Sequence, residues 1–125
     1  MMLLFLAAGG AAGTLARYAL AGWVYERTGS TFPWGTFAVN VVGSLVIGFT
    51  IRYLDAVMVT AEVRALLTIG LLGGFTTFST YTFESVALIR DGEWILAAGY
   101  AIGSLVTGMI AVGVGLAAAT LLLRV

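Results

Sequence analysis

Read for hydropathy, the 125-residue chain alternates four apolar runs with three short polar connections. The runs cover about residues 2–25, 34–54, 63–90 and 94–123; Glu26–Pro33, Asp55–Glu62 and the Asp91-Gly92-Glu93 turn separate them. Each run supplies the ~20 apolar residues that a helix needs to cross a bilayer. The pattern predicts an all-α membrane protein of four transmembrane helices, one domain over residues 1–125. Pro33 suits the start of the second helix, and Trp34 and Tyr53 suit interfacial anchors at its ends.

The third run is interrupted by GGFTTFSTY at residues 73–81. Each glycine lowers helix propensity by roughly 1 kcal/mol, so Gly73-Gly74 is expected to free the backbone to turn. Irregular backbone at membrane depth survives only where it is buried in protein or lines a polar cavity. The stretch therefore reads as a broken membrane helix whose carbonyls and hydroxyls coordinate something. The competing reading is a small-residue face for close helix packing. Thr76, Thr77, Ser79 and Thr80 put more polarity here than packing requires.

Other polar residues fall on helical faces. Gly9, Gly13 and Arg17 are spaced four apart and share one side of the first helix. An arginine at mid-membrane costs ~2.5–3.5 kcal/mol on insertion scales, so Arg17 faces protein or a water-filled vestibule, unless it snorkels to the interface. Thr36, Asn40 and Gly43 share a face of the second helix, and Asn40 is the sole Asn or Gln in the chain. Its amide is costly to leave unpaired in hydrocarbon, whether it glues helices together or lines a path. Tyr100, Ser104 and Gly108 form a polar stripe on the fourth helix. Glu84, three residues after Tyr81, shares nearly its face; the bland reading pairs this carboxylate with Arg90 or Arg17.

Composition narrows the function. With 61% hydrophobic residues, 10% charged and a mean hydropathy of +1.07, the chain is at home in a lipid bilayer. Six arginines balance six acids with no lysine, leaving no basic patch for nucleic acid. Cysteine and histidine are absent, which removes disulfides, the usual transition-metal ligands and the commonest general base, and argues against an enzyme. The first run lacks a charged leader and stays apolar past Arg17, so it reads as an uncleaved helix rather than a signal peptide. Four spans put both termini on one side, with Arg52, Arg64 and Arg124 there and Arg27 and Arg90 opposite. That near balance gives little positive-inside bias. No internal repeat offers a two-sided pathway within one chain. Both features point to a closed two-fold homodimer of oppositely inserted copies.

The GGFTTFSTY segment resembles the signature of the Fluc (CrcB-type) fluoride channels, usually GGxTTFSTF. GTxxxN at Gly35–Asn40 and GGxxGxxxRY at Gly9–Tyr18 agree in order, and the resemblance covers the whole chain. It implies an antiparallel dual-topology homodimer, with Asn40 and the Tyr100–Ser104 stripe lining the fluoride route and Arg17 drawing anions into a vestibule. It also implies a structural Na+ on the dimer two-fold, held by backbone carbonyls of Gly73 and Thr76. Two positions depart from the family: Tyr81 stands where phenylalanine is usual, and Gly108 where serine is frequent.

The chemistry fits a small, strongly hydrated anion. Asn40, Ser104 and Thr80 are donors able to replace fluoride's water, and Phe78 and Tyr81 offer ring edges of partial positive charge. Such contacts hold an ion weakly enough to release it. The expected function is a passive fluoride channel of a microbial inner (plasma) membrane, exporting fluoride to limit its toxicity, along a path of Asn40, Phe78, Tyr81, Ser104, Tyr100, Thr80, Arg17 and Glu84. The alternatives are a small multidrug-type proton-coupled transporter, which needs a carboxylate where the first span carries Arg17, and a non-transporting helical scaffold, which leaves the polar track unexplained.

Overall fold

The computed structural model describes residues 1–124; Val125, the last residue of the expected domain, lies outside the described residues. Among the described residues, four helices are long and apolar enough to cross a membrane: Met2–Thr28, Trp34–Ala56, Ala61–Arg90 and Trp94–Leu123. These are the four expected spans with ends moved by up to three residues. The first helix, α1 (Met2–Thr28), outruns its apolar stretch because its stop signal is Gly29. That residue sits in the left-handed region at φ 51° and returns its N–H to Tyr25 O. Glycine adopts this conformation without a Cβ penalty, as helix C-termini favour. Pro33 caps the second helix, α2 (Trp34–Ala56).

The third span is composite. A short α3 (Ala61–Ala65), capped by the Thr60 side chain, runs into a π-helical segment Leu66–Leu71 and then α4 (Leu72–Phe75). The chain then leaves the helix at Thr76 and Thr77, both extended, and re-enters as α5 (Phe78–Arg90). The last span is a single helix, α6 (Trp94–Leu123).

The break is therefore present but not where the glycines predict it. Gly73 and Gly74 are helical, and the extended residues are the two threonines. Gly74 serves packing instead: a Cβ there would lie 2.7 Å from the Gly10 carbonyl oxygen on α1. The break and the close-packing face are both present, at different residues. Gly74 gives close approach, and the hydroxyl residues carry the interruption.

Helices α1 and the α3–α4 arm pack together, and α2 packs along α6. Little large apolar surface is buried, because lipid rewards it outside as well as protein does inside. Leu3, Leu15, Ile95, Leu105 and Met109 point outward, whereas many of the buried positions are glycines and alanines, such as Gly9, Gly13, Ala111, Gly115 and Ala119. At the α2–α6 crossing, a Cβ on Gly115 would run into Leu45 O and come within 2.7 Å of Phe49 N. Both obstacles are backbone, which cannot step aside. One end of the protein holds a denser core of Leu88, Ala97 and Tyr100, with Phe32, Phe37, Tyr81 and Leu96 packed on it. At another, Arg64 ties α3 back to the end of α2 through Asp55 at 3.0 Å and Leu54 O at 2.9 Å.

The crossing gives a paired prediction. Gly115→Leu forces α2 and α6 apart, at the 1–3 kcal/mol typical of overpacking or more. Gly113→Leu, two residues away with nothing within 4 Å of its Cβ position, is tolerated. Size-exclusion chromatography and thermal denaturation in detergent check the pair; equal behaviour of the two variants would refute this packing.

Candidate functional site

The geometry of the site begins at Asn40. Its Nδ2 donates to Thr77 O at 2.9 Å, and its Oδ1 accepts from Thr77 N at 2.8 Å. A chain that leaves a helix in the membrane exposes an N–H and a C=O that nothing else satisfies. The Asn40 amide, which carries donor and acceptor side by side, supplies both partners in one contact. The hydroxyl of Thr77 then caps α5 by accepting from Thr80 N at 3.2 Å. It also donates to Thr80 Oγ1 at 3.0 Å.

This diversion has a consequence for the carbonyls of α4. In an uninterrupted helix, Gly73 O would accept from Thr77 N, which is instead bound to Asn40. The last turn of α4 thus presents carbonyls with no N–H ahead of them, as a helix C-terminus does. Gly73 is exposed, and a Cβ there would meet only Thr68 O, at 3.9 Å.

On one side of the break lies a groove of about 410 Å³, lined by Asn40, Ser44, Thr76, Thr77, Phe78, Tyr81, Ser104 and Gly108. Ser104 Oγ is buried here and, among the described residues, has no hydrogen-bond partner. The Phe78 and Tyr81 rings are 5.7 Å apart and tilted at 47°. Tyr81 also meets Tyr100 edge-on at 5.4 Å. The Tyr81 hydroxyl donates to Ala101 O at 2.7 Å, joining α5 to α6. Phe78 is 75% exposed.

On the other side lies a larger cavity of about 820 Å³ that holds Arg17, Thr77, Ser79, Thr80 and Glu84. Arg17 faces this cavity. Glu84 reaches neither Arg90 nor Arg17; among the described residues the one ion pair is Arg64–Asp55. Its carboxylate is instead held by hydroxyls from three other helices. Tyr25 donates to Oε1 at 3.0 Å, Thr36 to Oε1 at 2.9 Å, and Tyr100 to Oε2 at 2.7 Å. Buried hydroxyls find acceptors, and hydrogen bonds to a charged acceptor are the stronger kind.

The expected site residues therefore divide. Asn40, Phe78, Tyr81 and Ser104 meet in the groove, and Arg17, Thr80 and Glu84 meet in the cavity. Tyr100 is fully buried and touches both sets through Tyr81 and Glu84. Thr77 lines both spaces. Tyr25 was not among the expected residues; it lies between the Gly9–Tyr18 and Gly35–Asn40 motifs, seven residues past the first, and only the fold brings it to Glu84. Thr36 shares a motif with Asn40, yet its bond to Glu84 spans 48 residues of sequence.

The Asn40 clamp is testable. Asn40→Asp keeps the acceptor for Thr77 N but loses the donor for Thr77 O, leaving two oxygens facing each other. A loss of about 1–3 kcal/mol is expected from an unsatisfied buried group, with faster amide exchange confined to the residues around Thr77. Equilibrium unfolding and hydrogen exchange in detergent measure both; wild-type exchange at the break would contradict the clamp.

Comparison with known proteins follows the same lines. The family described as CrcB-like protein, Camphor Resistance (CrcB), matches residues 4–116. A protein of Geotalea uraniireducens (strain Rf4), named fluoride-specific ion channel FluC, is 45% identical over 114 residues, 90% of this chain and 92% of its own. A protein of the same name from Opitutus terrae is 47% identical over 115 residues, 90% of this chain and 87% of its own. A third, from Geobacter metallireducens, is 53% identical over 90 residues, 71% and 73% of the two chains. With the family model matching residues 4–116 and relatives 45–47% identical over nine-tenths of the chain, this chain belongs to the CrcB-like family.

Proposed function

We propose that the chain forms a fluoride-specific ion channel that lets fluoride leave a microbial cytoplasm passively through the inner (plasma) membrane, lowering its toxicity. The observation that carries this reading is the Ser104 hydroxyl, buried in the groove and left without a protein partner. A buried hydroxyl with no acceptor costs about 1–3 kcal/mol unless something passing through the groove accepts from it. Asn40 lies beside it, and one of its two amide protons is already engaged by Thr77. The second is free to serve a ligand.

An anion in the groove meets donors and ring edges rather than a fixed cation. Ser104 and Asn40 replace part of its water, and the Phe78 and Tyr81 rings flank it without binding tightly. Thr80 accepts from Thr77, so its own proton is available toward the larger cavity. There Arg17 raises the local anion concentration, as a charge lining a low-dielectric cleft does. Tyr100, Thr36 and Glu84 continue the polar route. The channel names of the matched relatives favour this reading over the multidrug-type transporter and over any enzyme.

We infer that the working unit is an antiparallel homodimer of oppositely inserted copies. The near-even distribution of arginines supports it, as do the exposure of Phe78 in the open groove and the exposure of Gly73. A sodium ion on the two-fold would be held by the carbonyls of Gly73 and Thr76. The residues fit, since Asn40 has removed the N–H that would otherwise occupy Gly73 O. Hard cations prefer such oxygen donors at broken helix ends. When bound, the ion supplies fixed positive charge near the anion route.

Proteoliposomes loaded with fluoride are expected to release it through the purified protein while retaining chloride; equal release of both would overturn fluoride specificity. Tyr81 refines the test. Its hydroxyl is donated to Ala101 O and is not available to the ion, so Tyr81→Phe retains flux within about threefold. Tyr81→Ile removes the ring edge and loses most of the flux while the dimer persists. A Tyr81→Phe variant as impaired as Tyr81→Ile would assign the role to the hydroxyl. For topology, a C-terminal tag is expected to be accessible in near-equal amounts from both sides of the membrane, and a single orientation would refute the dimer proposed here.

A further inference from the structure

Tyr25 stands in the last turns of α1, outside every motif, yet it makes the contact that closes one side of the Glu84 carboxylate. Its hydroxyl lies 3.0 Å from Glu84 Oε1 and 3.1 Å from Thr36 Oγ1. With one proton each, the Tyr25 and Thr36 hydroxyls either both point at Oε1 or relay one through the other. The Tyr25 ring is seated by a missing side chain. A Cβ on Gly35 would run into Tyr25 Cε2 and lie 2.7 Å from both Cδ2 and Cζ. The ring therefore occupies the space that any residue other than glycine would need at position 35.

The position of this contact gives it a role. Beyond the 820 Å³ cavity, a smaller one of about 240 Å³ lies under the α1–α2 connection and is lined by Ser30, Phe32, Pro33 and Asp91, among others. Tyr25 and Glu84 are the two residues that line both spaces. Their hydrogen bond is the partition between them. Glu84 Oε2 is held by Tyr100, which is fully buried and fixed by its ring contacts. Oε1 depends on Tyr25 and Thr36 alone, and the smaller cavity is open space into which an unheld carboxylate would swing.

We propose that Tyr25, seated against Gly35, is a positioning residue for Glu84: it holds the carboxylate between the two cavities, aimed at Thr36 and Tyr100, in the geometry that conducts. This rests on the channel reading for the flux it predicts, but the contact itself does not. The role belongs to the hydroxyl, and the seat belongs to the glycine on a different helix. Two substitutions at separate sites must then act through one contact.

The experiment compares Tyr25→Phe, Gly35→Ala and the double variant in proteoliposomes, with Tyr53→Phe as a phenol lost elsewhere. Tyr25→Phe keeps the ring and its packing and loses only the hydroxyl; a fall in fluoride flux of about tenfold is expected, with unchanged thermal stability and oligomer content. Gly35→Ala displaces the ring and gives a similar fall. The double variant is no worse than the more impaired single variant, since the contact is lost once. The infrared carboxylate stretch of Glu84, identified by its disappearance in Glu84→Gln, shifts in Tyr25→Phe and in Gly35→Ala but not in Tyr53→Phe. Wild-type flux with an unshifted band in Tyr25→Phe overturns the proposal, as does a flux loss that multiplies in the double variant. A purely structural role for Tyr25 predicts loss of folded protein without the band shift in the fraction that remains. A wild-type protein that carries no fluoride overturns the channel reading instead, and the Glu84 band then decides the positioning contact by itself.

Discussion

Everything in the site depends on one pair of hydrogen bonds between the Asn40 side chain and the Thr77 peptide unit. A membrane helix cannot be interrupted freely, because lipid offers no partner to the N–H and C=O groups released. The sole amide side chain in the protein stands opposite the one peptide that needs both. It stabilises the extended Thr76–Thr77 segment and frees the carbonyl of Gly73, and it leaves one amide proton toward the groove. The interruption, the freed carbonyl end of α4 and the unengaged amide proton of Asn40 share that contact. The helix-gluing and path-lining readings of a lone membrane asparagine are thus compatible at this residue.

The same contact organises the space around it. Thr77 borders both the groove and the larger cavity, so α5 starts at the boundary between them. Residues on successive faces of its first turns diverge: Phe78 and Tyr81 turn to the groove, Ser79 and Thr80 to the cavity. Glu84 lies one turn further, beneath Tyr25 and Thr36. Behind the helix, Tyr100 touches both sides without lining either, its ring against Tyr81 and its hydroxyl on Glu84. Among the described residues it is the one fully buried tyrosine, and it bridges the residues of the two spaces.

The four spans were legible because apolar runs and polar turns follow directly from bilayer thickness, and their ends moved only where local caps such as Gly29 intervened. The break was legible as a fact and misplaced in detail. Glycine propensity pointed to Gly73-Gly74, but propensity is a weak prior that tertiary contacts override. Gly74 is spent on the approach to Gly10, and the deciding force on the backbone is a side chain 37 residues away. Glu84 shows the same limit from another direction. Charge suggested an arginine partner, whereas the fold surrounds it with hydroxyls from α1, α2 and α6, none of which is near it in sequence. Periodicity finds residues on one helix face; it does not say which other helix that face will meet.

A carboxylate among the donors of the proposed anion route looks like a contradiction, and the hydrogen-bond geometry around Glu84 resolves it. Tyr25, Thr36 and Tyr100 direct their protons at Glu84, so its charge is spread over hydrogen bonds rather than presented bare to the cavity. The carboxylate in turn keeps the Thr36 hydroxyl from bonding back to its own helix, as Thr107 and Ser85 do on theirs. Hydroxyls held this way remain orientable, since each needs only a rotation about its C–O bond to donate elsewhere. An arginine in place of those hydroxyls would have fixed Glu84 just as well. It would also have offered a passing anion a full positive charge, and a site that binds too firmly does not conduct.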